Sequence, residues 1–127
     1  MSGHRFMLDT NLCIYLLSGH SPYLTGRVGN QPSGSVAISA ITLGELMVGG
    51  GSETAASPEL ASMIDELPVL PFDDAAAKTY GRLPFRRGSF DRLIAAHALS
   101  LDLTLVTNNE RDFSDVRGLR VENWTKR

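Results

Sequence analysis

The sequence predicts an α/β sandwich in which parallel strands are joined by helices. Three observations carry that prediction. Short apolar runs alternate with longer stretches of helical periodicity. Turn-forming clusters separate them. The chain has 127 residues, 43% hydrophobic and 20% charged, enough for one core and too few for two. A single domain over residues 1–127 is therefore expected.

The first strand is expected at Arg5 to Leu8, followed by a helix over Asn11 to Leu17 and a softer one over Tyr23 to Val28. Gly29-Asn30-Gln31-Pro32-Ser33-Gly34 is a turn-rich link to a second strand, Ser35 to Ser39. A helix over Thr42 to Val48 should end at Gly49-Gly50-Gly51-Ser52, with a loop running to Ser57. Ser57-Pro58-Glu59 then supplies a cap and a first-turn proline for the helix Glu59 to Leu67. Val69 to Phe72 is a third strand, Asp74 to Leu83 a helix, and Phe90 to Leu101 another helix. Thr104 to Thr107 is a fourth strand, Glu110 to Phe113 a short helical turn, and Arg120 to Glu122 a weak last strand. No internal repeat or low-complexity tract is present.

Charge and cysteine content exclude several classes. Twelve Lys and Arg against fourteen Asp and Glu give a net charge of −2, so no basic bulk coats nucleic acid. The lone Cys13 rules out an intramolecular disulfide and a cysteine-rich zinc site, which fits a reducing cytoplasm. Asp9 interrupts the amino-terminal apolar run before it reaches signal-peptide length, and no apolar stretch approaches the 18 residues or so of a membrane span.

Four carboxylates stand where strands give way to helices. Asp9 follows the first strand, Glu45 lies in the first turn of the helix after the second, Asp91 in the first turn of the helix that begins at Phe90, and Asp112 just past the fourth strand. Each has an ordinary explanation. Thr42 with Glu45 is a capping box, Asn109 with Asp112 resembles one, Asp9 or Thr10 caps the first helix, and Asp91 complements a helix dipole. Together they are harder to dismiss, because parallel strands bring their carboxyl ends to one edge, where open α/β folds bind ligands. Two carboxylates about 4 Å apart repel by roughly 4 kcal/mol at an effective dielectric of about 20, so such a cluster requires protonation or a cation. Oxygen donors without a Cys or His cluster favour Mg2+ or Mn2+. A site of that kind performs phosphoryl chemistry through an activated water.

Setting the four acids aside leaves twelve cations against ten anions. Arg82, Arg86, Arg87 and Arg92 cluster beside Asp91, either as contacts to a phosphate backbone or as a solvated charged face. His97 reads as a packed histidine, His4 and His20 as isolated, Cys13 as a core residue and Trp124 as closing the core.

These motifs resemble those of the PIN-domain ribonucleases, and among them the VapC toxins of prokaryotic toxin–antitoxin pairs. Met7-Leu8-Asp9-Thr10-Asn11 resembles the family's opening motif, and Ser39-Ala40-Ile41-Thr42-Leu43-Gly44-Glu45-Leu46 its second. Phe90-Asp91-Arg92-Leu93-Ile94-Ala95-Ala96-His97-Ala98 resembles the third. Leu105-Val106-Thr107-Asn108-Asn109-Glu110-Arg111-Asp112-Phe113 is similar to the fourth, with a family-like ending in Gly118-Leu119-Arg120-Val121-Glu122-Asn123-Trp124. The resemblance implies a PIN-like three-layer α/β/α sandwich with a mostly parallel central sheet. It implies a metal-dependent endoribonuclease with Asp9, Glu45 and Asp91 as catalytic metal ligands and Thr10 ordering them. Many relatives carry an acid nearer Asn108 or Asn109. Here Asp112 takes the fourth position, with Asn109 as a neutral ligand or water positioner. The link Leu83-Pro84-Phe85-Arg86-Arg87-Gly88 is shorter than in many VapC proteins.

The resemblance further implies an RNA substrate, a homodimer, and a VapB-type antitoxin lying across the early helices. Ile14, Tyr15, Leu17, Tyr23 and Leu24 are either that groove or core. Two other readings stand beside this one: a catalytically inactive PIN-like module that binds partners, and a Mg2+-dependent phospho-receiver domain. The receiver would want adjacent acids after the first strand and a lysine after a late one, and between Lys78 and Lys126 there is no lysine.

Overall fold

The computed structural model describes residues 3–55, 57–84 and 89–126, with side chains left aside for 49–55. Five strands, β1 (Phe6–Leu8), β2 (Val36–Ser39), β3 (Val69–Leu70), β4 (Thr104–Val106) and β5 (Val121–Glu122), form one sheet in the order β3-β2-β1-β4-β5. All four pairings are parallel, so the sheet is fully parallel where a mostly parallel one was expected. Among the described residues six α-helices connect the strands: α1 (Thr10–Ser18), α2 (Pro22–Gly29), α3 (Ala40–Ala55), α4 (Pro58–Glu66), α5 (Asp74–Tyr80) and α6 (Phe90–Ser100). A short 3-10 helix covers Glu110–Phe113.

Alternation along the central strand builds the three layers. Phe6 and Leu8 join Leu12, Leu24, Ile38, Leu46, Leu60, Val106 and Trp124 in one buried cluster. Met7 points to the other face, among Ile94, Ala95, Ala98, Leu105 and Phe113. Each large apolar side chain so buried contributes about 1.5–3 kcal/mol. Trp124 closes the first cluster with its ring edge against Phe6, 4.8 Å between centroids, as the sequence suggested.

Several boundaries differ from expectation. The triglycine does not end α3, which runs on to Ala55: glycines cost helix about 1 kcal/mol each but keep their N–H, and a proline comes only at Pro58. Helix α5 stops at Tyr80 rather than Leu83, with Gly81 as its C-cap. Ser57 caps α4 as read, its hydroxyl accepting from the Leu60 N–H at 3.0 Å. No helix among the described residues is long and apolar enough to cross a membrane.

Candidate functional site

The strand order reverses direction at β1. From β1 the chain steps outward through β2 and β3, then returns to β4 on the other side of β1. The carboxyl ends of β1 and β4 therefore flank the switch point, where ligands bind in open parallel sheets. A phospho-receiver has the order 2-1-3-4-5, so the observed order removes that reading.

Asp9 is the first residue beyond β1. Its N–H donates to the Val106 carbonyl at 3.0 Å, and its Oδ1 accepts from the Leu12 N–H at 2.9 Å as the N-cap of α1. The carboxylate is thus a cap, as expected, and it is also only 5% exposed. Burial pushes its pKa up to about 6; bonds from the Thr107 hydroxyl and the Leu12 N–H oppose the rise, and the charges of Asp91 and Glu45 add to it.

Glu45 is half-buried on α3 and meets Thr10. Thr10 Oγ1 lies 2.6 Å from Glu45 Oε1 and 3.1 Å from Thr42 Oγ1. A hydroxyl has one proton, so Thr10 donates to the carboxylate and the Thr42 hydroxyl supplies the second bond. The expected Thr42–Glu45 capping box is absent: α3 begins earlier, at Ala40, and Ser39 caps it by accepting from the Ile41 N–H at 3.0 Å. Thr42 is consequently a buried residue inside the helix.

Asp91 sits exposed in the first turn of α6, where partial burial and the neighbouring Asp112 raise its pKa and Arg92 lowers it. Asp112 is exposed in the 3-10 helix, held by Asn109, whose Nδ2 donates to Asp112 Oδ2 at 2.5 Å. That side-chain pair takes the place of a capping box, since the 3-10 helix has no side-chain cap. Electrostatic coupling therefore links Asp9 to Glu45 and Asp91, and Asp91 to Asp112.

The arginines divide. Arg92 is 2% exposed and its Nη2 reaches Asp115 Oδ1 at 2.7 Å and the Asp112 carbonyl at 3.1 Å. The phosphate contact expected of this residue is not what the structure has: the guanidinium is buried, its Nη2 tying the start of α6 to the segment that carries Asp112 while its Nη1 has no hydrogen-bond partner among the described residues. Arg82 is exposed, and Arg86 and Arg87 lie outside the described residues. Of the apolar groove residues, Leu24 is fully buried core, Tyr15, Leu17 and Tyr23 are half-buried, and Ile14 is 48% exposed.

His97 packs as expected, buried with Nδ1 2.8 Å from Ser39 Oγ; burial lowers its pKa, against Asp73 and the Pro71 carbonyl. Cys13 is buried and its thiol is pushed up by burial, so it is inert. Sequence reasoning missed Thr107 and gave Thr42 a capping role in place of its bond to Thr10; both are buried hydroxyls that serve the acids. The signal available for both was a threonine at a strand end or in the first turn of a helix beside an acid. A cleft of about 670 Å3, lined by Leu16, Val28, Val36, Glu59, Met63 and Glu66, opens at the amino end of β2, on the sheet edge opposite the acids.

Among the described residues no three His, Cys, Asp or Glu side chains converge as a ready cage for an ion. Magnesium does not require one, because it keeps several waters and binds through one or two carboxylates and substrate phosphates. The all-oxygen donors and the raised pKa of a buried, coupled Asp9 fit a hard divalent cation.

The chain belongs to the PIN-domain family, whose model matches residues 6–119. It is 37% identical to the tRNA(fMet)-specific endonuclease VapC of Shigella flexneri, covering 95% of this chain and 98% of that one. Two solved structures resemble it over nearly the full length. DNA-bound VapBC from Salmonella typhimurium superposes with a TM-score of 0.82 at 35% identity, covering 95% of this chain and 98% of the other. VapBC2 from Rickettsia felis bound to a promoter DNA fragment gives 0.77 at 30%, covering 94% and 98%.

Proposed function

We propose that this protein is a divalent-metal-dependent endoribonuclease and the toxin of a VapBC-type toxin–antitoxin pair, with Mg2+ or Mn2+ as cofactor. The observation that carries the reading is the buried Asp9 at the switch point, within reach of the charges of Asp91 and Glu45, in a chain whose relatives are named endonuclease or ribonuclease.

Asp9 and Asp91 are the first ligands in this reading, Glu45 completes the set, and Asp112 with Asn109 faces the solvent side. A cation held by Asp9, Asp91 and Glu45 would supply Lewis acidity toward the phosphodiester and would ease deprotonation of the attacking water. The protein's own work is positioning. Leu12 N–H and the Thr107 hydroxyl fix the Asp9 carboxylate, Thr10 fixes Glu45, and Asn109 fixes Asp112. Arg92 holds the Asp112 segment against the start of α6, where the Asp112 charge raises the pKa of Asp91. An intact set of acids favours activity over an inactive partner-binding module. A VapB-type antitoxin is the proposed protein partner, because the related structures are VapBC complexes.

Incubation of a tRNA(fMet) transcript, the substrate named for the Shigella relative, with purified protein tests this reading. Discrete fragments in Mg2+ or Mn2+ and none in chelator are expected. Intact tRNA and intact bulk RNA under every metal condition would overturn it.

A further inference from the structure

Between the acids and the far end of α1 runs a row of side chains that phosphodiester chemistry does not use. Asn11, two residues past Asp9, donates through Nδ2 to Asn108 Oδ1 at 3.0 Å. Asn108, two residues past the end of β4, donates through its own Nδ2 to the Tyr15 hydroxyl at 3.3 Å. The Tyr15 ring lies against the His20 imidazole with centroids 4.3 Å apart and planes inclined by 38°. Asn11 and Tyr15 are four residues apart on α1, so they share a face about one turn apart. Gly19, left-handed at φ 70°, turns the chain back so that the His20 N–H meets the Tyr15 carbonyl at 3.1 Å, which seats the imidazole on the ring. Asn11 and His20 are exposed, and Asn108 and Tyr15 half-buried.

Each primary amide offers two N–H donors and an acceptor oxygen. The bonds just described use one N–H of each and the Asn108 oxygen, so both amides keep hydrogen-bonding capacity. The amides and the phenol are uncharged and begin two residues past Asp9, so they offer a polyanion hydrogen bonds and a ring face and no ion pair. Affinity at this edge has to come from stacking and from hydrogen bonds to planar groups. Unpaired RNA bases supply both, being read by aromatic stacking and by amide contacts to their edges.

We propose that Asn11, Asn108, Tyr15 and His20 form a subsite for unpaired RNA bases on the α1 side of the acids, and that this subsite biases which phosphodiester is cut. The inference rests on the endoribonuclease reading above and specifies its substrate contacts. In order outward from the acids, the base beside the scissile phosphate meets the Asn11 and Asn108 amides. The next base stacks on the outer face of His20, which Tyr15 backs.

The test measures binding and cleavage separately. Fluorescein-labelled single-stranded RNA hexamers, one per base type, are titrated with the full chain in chelator and followed by anisotropy, for the wild type and for His20→Ala, His20→Phe and Asn108→Ala. Loss of one stacked base predicts weakening of roughly five- to 100-fold for His20→Ala, recovery in His20→Phe, and a changed order of base preference in Asn108→Ala. With metal present, the ends generated from a mixed RNA pool should lose base preference next to the cut in Asn108→Ala and one position further out in His20→Ala. Equal hexamer affinities and unchanged ends in both variants would overturn the subsite even if the wild type cuts RNA. The same holds if the variants weaken only the binding of an antitoxin peptide. A wild type that binds hexamers through His20 but cuts nothing would keep the subsite and sink the nuclease reading.

Discussion

Replacing Asp9 by Asn should stabilise the metal-free protein at neutral pH while destroying its chemistry. The pKa of Asp9 rises from 3.8 to about 6 on folding. At about 1.36 kcal/mol per pH unit, the ionised form is therefore about 3 kcal/mol less favourable in the folded chain than in the unfolded one. Below pH 3.8 the group is protonated in both states and the penalty is absent. Between pH 3.8 and 6 the folded chain retains a proton that the unfolded chain has released, so stability falls as pH rises. Above pH 6 the full penalty persists. Asparagine keeps the cap, because its side-chain oxygen can still accept from the Leu12 N–H, and its NH2 can donate to the Thr107 hydroxyl. Thermal melts in chelator at pH 7.5 should place Asp9→Asn on the order of 10 °C above the wild type. At pH 4 the gap should shrink to less than about 1 kcal/mol. A variant no more stable than the wild type at pH 7.5, or a gap of equal size at both pH values, would refute the reasoning.

The remaining predictions concern the residues around that carboxylate. Thr10→Val removes the 2.6 Å donor to Glu45 and should cost about 1–2 kcal/mol in urea denaturation, with a fall in cleavage rate. Asp115→Ala should cost about 3 kcal/mol or more, because it removes the carboxylate that the 2% exposed Arg92 guanidinium hydrogen-bonds. Arg92→Met should cost less, since Asp115 is 32% exposed and can rehydrate; the two values compared by chemical denaturation decide this. Divalent cation at 100 times its dissociation constant should raise wild-type stability at pH 7.5 by about 2.7 kcal/mol, an increment that a melt of Asp9→Asn should lack.

Much of the fold was legible because the signals were local. Phe6, Met7 and Leu8 are apolar on both faces, as a central parallel strand requires, and Ser57-Pro58 and Asp9 announced their helices correctly. The end of α3 was not legible, since a glycine run usually terminates a helix and here does not. Within the site, the positions of Asp9, Glu45 and Asp91 relative to the strands could be read, because parallel strands bring their ends together whatever the loops do. Arg92 could not be placed, because one residue of rotation on α6 decides whether a side chain beside Asp91 faces solvent or the Asp115 carboxylate. The same limit hid Thr107 and the Asn11–Asn108 bond, which join residues distant in sequence across the switch point.

The most direct test of the central claim is sequencing of new RNA ends after total cellular RNA is incubated with the purified protein in Mg2+, in Mn2+ and in chelator, beside an Asp91→Asn control. The account predicts discrete new ends that require the metal and vanish in the variant. Identical end profiles in all conditions, with folded protein confirmed by its melt, would contradict it.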